Sequence, residues 1–145
     1  MYTKLLFSTL FVLLTNLSAF SQCPTDIIKV GRKLAKDVAF KTMKKISPNT
    51  GKDEDATLKG CRNDQLNGVI IFDVELTWSA LTQMIGGDSG QCVVWGEIKI
   101  SDEDQSEFKF VTKDMNSFAK RCADSRKWDG LEAFINASMN SRGGN

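Results

Sequence analysis

Residues 68–81 read GVIIFDVELTWSAL, and this stretch decides the fold. Apolar side chains occupy every second position from Ile70 to Ala80, and polar side chains fill most of the positions between them. Successive side chains of a strand point to opposite sides, so a strict period of two predicts a β-strand with one buried face. The other face of the sheet is then expected to be wet, as is common in antiparallel sheets.

Two shorter segments downstream, residues 91–101 and 107–113, repeat this alternation. Their side chains expected to face the core are Cys92, Val94, Gly96, Ile98, Ile100, Phe108 and Phe110. A glycine-rich stretch at 83–90 and an acidic one at 102–104 are suited to the turns between the strands. The three strands are therefore predicted to form an antiparallel meander.

Helical spacing dominates the two ends of the chain. Residues 24–46 carry apolar side chains at intervals of three and four and predict a long N-terminal helix. Two C-terminal helices are predicted, one from Met115 to about Ala123 capped by Asp114, the other at 128–139. The polar residues 47–67 are predicted to form a long loop, with a short extra strand around 57–62 as the alternative. Helices flanking an antiparallel sheet predict an α+β domain.

Residues 1–21 predict a secretory signal peptide that is cleaved before Gln22. Lys4 precedes an apolar run at 5–14, and Ala19 and Ser21 supply small residues before the cut. A retained anchor and lipid attachment at Cys23 are the alternatives. We expect residues 22–145 to be a single secreted or periplasmic domain, because no other stretch approaches a membrane span.

Charge and histidine content exclude several classes of function. The chain has 19 basic and 18 acidic residues, so no global field favours nucleic acid. It has no histidine, which excludes Ser-His-Asp and Cys-His catalysis and histidine metal sites. We therefore expect no cofactor, no metal and no nucleic-acid partner.

Four cysteines, Cys23, Cys61, Cys92 and Cys122, predict two disulfides in an exported chain. Three connectivities are possible. If the first helix runs antiparallel to the first strand, its start lies near Cys92, while Cys61 lies at the opposite end of the sheet. This geometry favours Cys23–Cys92 and Cys61–Cys122.

The wet face of the sheet carries the candidate site residues. Aligning the hairpins by face places Asp73 opposite Lys99 and puts Glu75, Glu97 and Lys109 in the neighbouring row. Carboxylates directly across a sheet have β-carbons within about 5.5 Å, which suits the carboxylate pair of a retaining glycosidase. The alternative is simple charge alternation, in which Lys99 and Lys109 neutralise the carboxylates.

Trp95 is expected on the same face, between Thr77 and Val111. A tryptophan on a polar face is either covered by another element or offered to a partner. The C-terminal helices are the expected cover, and a contact platform for a protein or sugar is the alternative. Further along, residues 136–138 match a glycosylation sequon at Asn136.

A long helix followed by the segment GVIIFDVEL at 68–76 resembles the central part of cystatin-type inhibitors. Those proteins carry a Gln-x-Val-x-Gly loop before such a strand, and the corresponding stretch here is Gln65-Leu66-Asn67-Gly68. It is one residue shorter and has no valine. The resemblance covers under a quarter of the mature chain, so it implies a cystatin-like shape and does not extend to protease inhibition.

The sequence as a whole predicts a small, monomeric, disulfide-stabilised secreted protein that binds a protein or carbohydrate partner without catalysis. One alternative is an inhibitor of an extracellular or envelope hydrolase. Another is a glycoside hydrolase that uses Glu75 and Glu97, with Trp95 as a sugar platform. A structural component of the cell envelope is the remaining alternative.

Overall fold

The computed structural model describes residues 23–82, 87–105, 107–123 and 125–141. The predicted signal peptide and half of the glycine-rich loop, residues 83–86, lie outside the described residues. The elements are α1 (Thr25–Ile46), β1 (Lys52–Asp64), β2 (Val69–Leu81), β3 (Ser89–Ser101), β4 (Phe108–Met115), α2 (Ser117–Cys122), α3 (Ser125–Trp128) and α4 (Leu131–Asn140). All strand pairs are antiparallel, in the order β1-β2-β3-β4. The α+β class is therefore confirmed. No helix in the described part of the chain is both long and apolar enough to span a bilayer.

The sheet has four strands, so the predicted three-stranded meander is wrong by one. The missing strand is β1, which occupies most of the predicted loop at 47–67. It buries only Leu58, Gly60 and Cys61, and its pairing with β2 is irregular at two places. Charged, irregular edge strands resist pairing with other chains, and these properties also weaken the period-two signal in the sequence.

Helix α1 packs closely on the sheet. A Cβ at Gly31 would lie 2.5 Å from the Phe72 ring, so the helix backbone needs a glycine where it crosses β2. At the other end of α1, Trp78 is fully buried and donates a hydrogen bond from Nε1 to Ser47 Oγ at 3.1 Å. The buried donor therefore has its partner at the end of the helix.

Burial alternates along β2 and β3 as the sequence predicts. Even-numbered residues from Ile70 to Ala80 and from Cys92 to Ile100 face the helices, and Phe108 and Phe110 of β4 join them. Odd-numbered residues of β2 and β3 lie on the opposite side, which we call the outer face. The expected assignment of residues to faces is confirmed.

The described C-terminal residues form three helices where two were predicted, with different bounds. Asn116, and not Asp114, caps α2: its Oδ1 accepts hydrogen bonds from the backbone N–H groups of Ala119 and Val93. The predicted helix at 128–139 is interrupted, because Gly130 has a φ of 70° and separates α3 from α4. This left-handed conformation is easily adopted by glycine.

Helix α4 covers the free edge of β4 with a ladder of side chains. Glu132, Asn136 and Asn140 accept hydrogen bonds from the backbone N–H groups of Thr112, Phe110 and Phe108 respectively. Both asparagines also donate back to the backbone oxygen of the same residue. Four helical residues rise about 6 Å and two strand residues about 6.7 Å, so the two repeats match. The amide of the Asn136 sequon is therefore engaged within the fold.

The expected disulfide pairing is wrong. Cys23 is bonded to Cys61, which joins the start of α1 to β1. The prediction failed because Cys61 belongs to a strand and not to a loop. Strand β1 lies beside α1 and brings Cys61 to the N-terminus of that helix. Cys92 and Cys122 are both buried, and their sulfur atoms lie 3.4 Å apart as free thiols. The described residues thus contain one disulfide where two were expected, and its pairing is neither of the two predicted.

Candidate functional site

The outer face is the side of the sheet that the described helices leave uncovered. Helices α1 and α2 reach the sheet through inward residues: Gly31 meets Phe72, and Cys122 meets Cys92. Helix α4 contacts β4 and α1, and its Leu131 and Ile135 belong to the core. The expected cover of Trp95 by the C-terminal helices is therefore wrong. Trp95 is half-buried by its neighbours on the sheet.

The expected register of the outer face is wrong by two residues. Glu75 lies opposite Trp95, and Asp73 lies opposite Glu97. Lys99 pairs with Ile71 on one side and Lys109 on the other. A shift of two residues keeps every side chain on its predicted face, so alternation alone does not reveal it. Glu75 and Glu97 are diagonal neighbours and not the directly opposed pair expected.

One row of side chains holds the indole of Trp95. Its Nε1 donates a hydrogen bond to Glu75 Oε2 at 2.7 Å. The other oxygen of Glu75 forms an ion pair with Lys59 Nζ at 3.2 Å. Lys59 is the extra residue at the irregularity between Leu58 and Gly60 of β1. Side chains from three strands therefore fix the orientation of Trp95.

A second row joins all four strands around Glu97. Arg62 donates from Nη1 to Asp73 and from Nη2 to Glu97 Oε1, the latter at 2.8 Å. Lys113 and Lys99 approach Glu97 Oε2 at 3.2 and 3.6 Å. Like charges directly opposite each other destabilise a sheet, and Arg62 compensates the Asp73–Glu97 pair by bridging it.

Burial acts to raise the pKa of Glu97, but hydrogen bonds and charge from Lys113 and Arg62 outweigh it, so the pKa lies below the usual value. Its side chain is only 13% exposed. Glu97 is therefore held as a carboxylate. A general acid of a glycosidase needs the opposite shift, towards a raised pKa. The lowered pKa of Glu97 therefore argues against a role as general acid, and its diagonal placement relative to Glu75 differs from the directly opposed pair that was expected.

All five predicted site residues lie on the outer face. Trp95, Glu75, Glu97 and Lys99 belong to the two rows described above, and Lys109 lies directly opposite Lys99 on β4. Lys99 and Lys109 also line a groove of about 900 Å³ at the end of the sheet. The other lining residues include Asn67, Glu103, Asp104, Glu107 and Asn140.

Three residues of the network, Lys59, Arg62 and Lys113, were not expected from the sequence. Lys59 and Arg62 belong to β1, the strand predicted as a loop, so no face could be assigned to them. Lys113 is the extra residue where the pairing of β3 with β4 shifts between Trp95 and Gly96. Each of the three is a single basic residue in a segment of mixed polarity, and such residues carry no recognisable sequence signal for this role.

Comparison of the chain with protein-family models, with curated proteins and with solved structures gave no match. The candidate site therefore rests on its own geometry and chemistry.

Proposed function

We propose that this chain is a small extracytoplasmic binding protein that presents its outer face to a protein partner and performs no catalysis. The observation that carries the proposal is the fixed orientation of Trp95. Glu75 and Lys59 hold its indole on a face that the described helices leave open. Little side-chain freedom would then be lost on binding, and such preorganisation favours affinity.

The composition of the outer face supports a protein partner. Tryptophan and arginine are enriched among the residues that dominate protein interfaces, and Trp95 and Arg62 lie on adjacent rows of this face. The charges of Asp73 and Glu97 are compensated by Arg62, which limits the cost of removing them from water. A broad sheet surface suits a protein better than a small molecule, which needs a concave pocket.

The test is a comparison of Trp95→Ala with Phe134→Ala, using oxidised residues 22–145. Phe134 is a matched control, because it is a partly exposed aromatic on α4, away from the outer face. Proteins captured from the secreted fraction by the wild type would be purified and their dissociation constants measured. We expect Trp95→Ala to weaken binding at least tenfold and Phe134→Ala to change it less than twofold.

Equal weakening by both variants, or no loss with Trp95→Ala, would overturn the proposal. Circular dichroism of each variant separates loss of binding from loss of fold. A carbohydrate partner is a distinct outcome: an array of glycans would then show binding that depends on Trp95, while no protein partner would depend on it.

A second candidate function is inhibition of an extracellular or envelope hydrolase through the β1–β2 turn. Leu66 of this turn is 98% exposed, so a large apolar side chain is presented to solvent there. Asn67 is held by hydrogen bonds to Asp64, so the turn that presents Leu66 is ordered. Residual activity of a panel of extracellular proteases would be measured with the wild type and Leu66→Ser. Inhibition that Leu66→Ser abolishes supports this candidate, and absence of inhibition removes it.

A further inference from the structure

Charge is segregated within this nearly neutral chain. Helix α1 contains seven basic and two acidic residues, a net charge of +5. The rest of the chain contains 12 basic and 16 acidic residues, a net charge of −4. The nearly neutral net charge of the chain therefore includes one strongly cationic helix. The expectation that no charged field favours an anionic partner does not apply to the surface of α1.

The exposed cations of α1 form a line on its solvent side. We define the cationic stripe as Lys29, Arg32, Lys33, Lys36 and Lys44, all of which are exposed. The opposite side of the helix is buried in the core. With a rise of 1.5 Å per residue, the stripe extends over about 22 Å. No ion pair between described residues engages these five side chains.

A groove of about 640 Å³ borders the stripe where α1 meets β1. Arg32, Lys33 and Lys36 supply cations to one wall, together with Asp37. The other wall is formed by residues 56–58 of β1. Three cations and one carboxylate give the groove a net positive charge. Because the groove is concave, all three cations can interact with the same ligand.

An exposed aromatic ring interrupts the stripe. Phe40 is 47% exposed, and the Lys44 ammonium lies 5.4 Å from the centre of its ring. An apolar ring among cations offers contact to the C–H face of a sugar whose acidic groups meet the lysines. The stripe thus combines the two kinds of contact that an acidic polysaccharide requires.

We propose that the cationic stripe and its groove bind a linear acidic polysaccharide that carries sulfate or carboxylate groups. Charge complementarity selects an anion, and the linear arrangement of the cations selects an extended one. Clusters of lysine and arginine are typical of protein sites that bind heparin-like ligands. The export that the leader predicts would bring the stripe into contact with such polymers. This site is separate from the outer face.

Two other anionic partners fit the geometry less well. A membrane-bound amphipathic helix inserts its apolar face into the bilayer, but the apolar face of α1 is buried in the core. An acidic peptide added to the edge of β1 would need a regular strand. The pairing of β1 is irregular between Lys52 and Asp55 and between Leu58 and Gly60, so only a short regular segment faces the groove.

The test uses heparin oligosaccharides and oxidised residues 22–145 in calorimetric titrations. Lys33→Gln/Lys36→Gln removes two charges from the groove wall. Lys120→Gln/Arg121→Gln is the matched control, because it removes two exposed charges from α2. Because the groove variant removes two of the three cations in the wall, we expect it to bind at least tenfold more weakly. The control should bind within twofold of the wild type, and binding should weaken steeply with added salt.

Several results would overturn the proposal. Equal losses in both double variants would show a response to net charge alone, and absence of binding by the wild type would remove the site. Tighter binding to phosphatidylglycerol vesicles or to duplex DNA than to heparin would assign the stripe to another class of partner. Neutral dextran serves as the uncharged comparison, and circular dichroism confirms that each variant is folded.

Discussion

Glu97 shows how a single carboxylate couples the outer face to stability. Its pKa is lowered in the folded state, because Lys113 and Arg62 together outweigh the effect of burial. A group whose folded pKa is depressed stabilises the fold above its unfolded pKa, about 4.3 for glutamate. This contribution is lost as the pH falls through the folded pKa. The outer face should therefore contribute to acid sensitivity.

We predict that Glu97→Gln lowers the free energy of unfolding at pH 7 by about 1.5–3 kcal/mol, since hydrogen bonds to charged groups are lost. The difference from the wild type should shrink as the pH is lowered below about 4. Urea denaturation at a series of pH values measures both effects. A difference that stays constant across this series would contradict the assigned role of the charge.

At the scale of elements, what the sequence could predict depended on how much apolar surface each element buries. Strand β2 buries alternate side chains along almost its whole length, and its face was predicted correctly. Strand β1 buries few, carries many charges and has two irregularities, so no period survived in its sequence. Because β1 was predicted as a loop, the position of Cys61 relative to α1 was predicted wrongly, and Arg62 was not assigned to a face of the sheet. The β2–β3 register was predicted wrongly for a different reason. The register depends on where the turn is centred, and a two-residue shift of the pairing leaves the alternation of side chains unchanged.

The edge ladder of α4 yields a prediction for Asn136. Asn136→Ala removes an acceptor and a donor that bond the backbone of Phe110. The backbone N–H of Phe110 would be left without a partner, so the variant should lose about 1–3 kcal/mol of stability. Asn136→Asp is the matched control, since it keeps the acceptor, and should lose less. Urea denaturation compares the two, and equal losses would contradict the ladder.

The contact between β3 and α2 yields a prediction for Cys92 and Cys122. Their sulfur atoms lie 3.4 Å apart, so a small movement would allow a second disulfide. In this reaction two thiols lose two protons and two electrons to a thiol–disulfide oxidant. Burial, and next the hydrogen bond with Cys122, raise the pKa of Cys92, which disfavours the reactive thiolate once the chain is folded. We therefore expect the bond to form during oxidative folding.

Peptide mapping of the exported protein under non-reducing conditions should recover Cys92 linked to Cys122. The bond should stabilise the fold by about 2–4 kcal/mol relative to Cys92→Ala/Cys122→Ala. In protein folded under reducing conditions, both thiols should resist alkylation at neutral pH until urea is added. A peptide linking Cys61 to Cys122 would contradict the pairing, as would rapid alkylation of the folded protein.

At the scale of the whole molecule, the two candidate surfaces point in opposite directions. The outer face lies on one side of the sheet, and α1 packs on the other side with its cationic stripe turned away from the core. The sheet edges are protected by different means: α4 covers β4, whereas β1 has charges and irregular pairing. Both edges are thus poor templates for the addition of a strand from another chain.

The opposed surfaces predict independent effects of substitution. Sites more than about 10 Å apart without shared partners usually have additive effects, within about 0.5 kcal/mol. Combining Trp95→Ala with Lys33→Gln/Lys36→Gln should therefore change the free energy of unfolding by the sum of the separate changes. Trp95→Ala alone should leave the affinity for heparin unchanged, because Trp95 is not one of the residues that line the groove. Urea denaturation and titration calorimetry measure the two quantities. A loss of heparin affinity in folded Trp95→Ala would mean that both surfaces belong to one binding site.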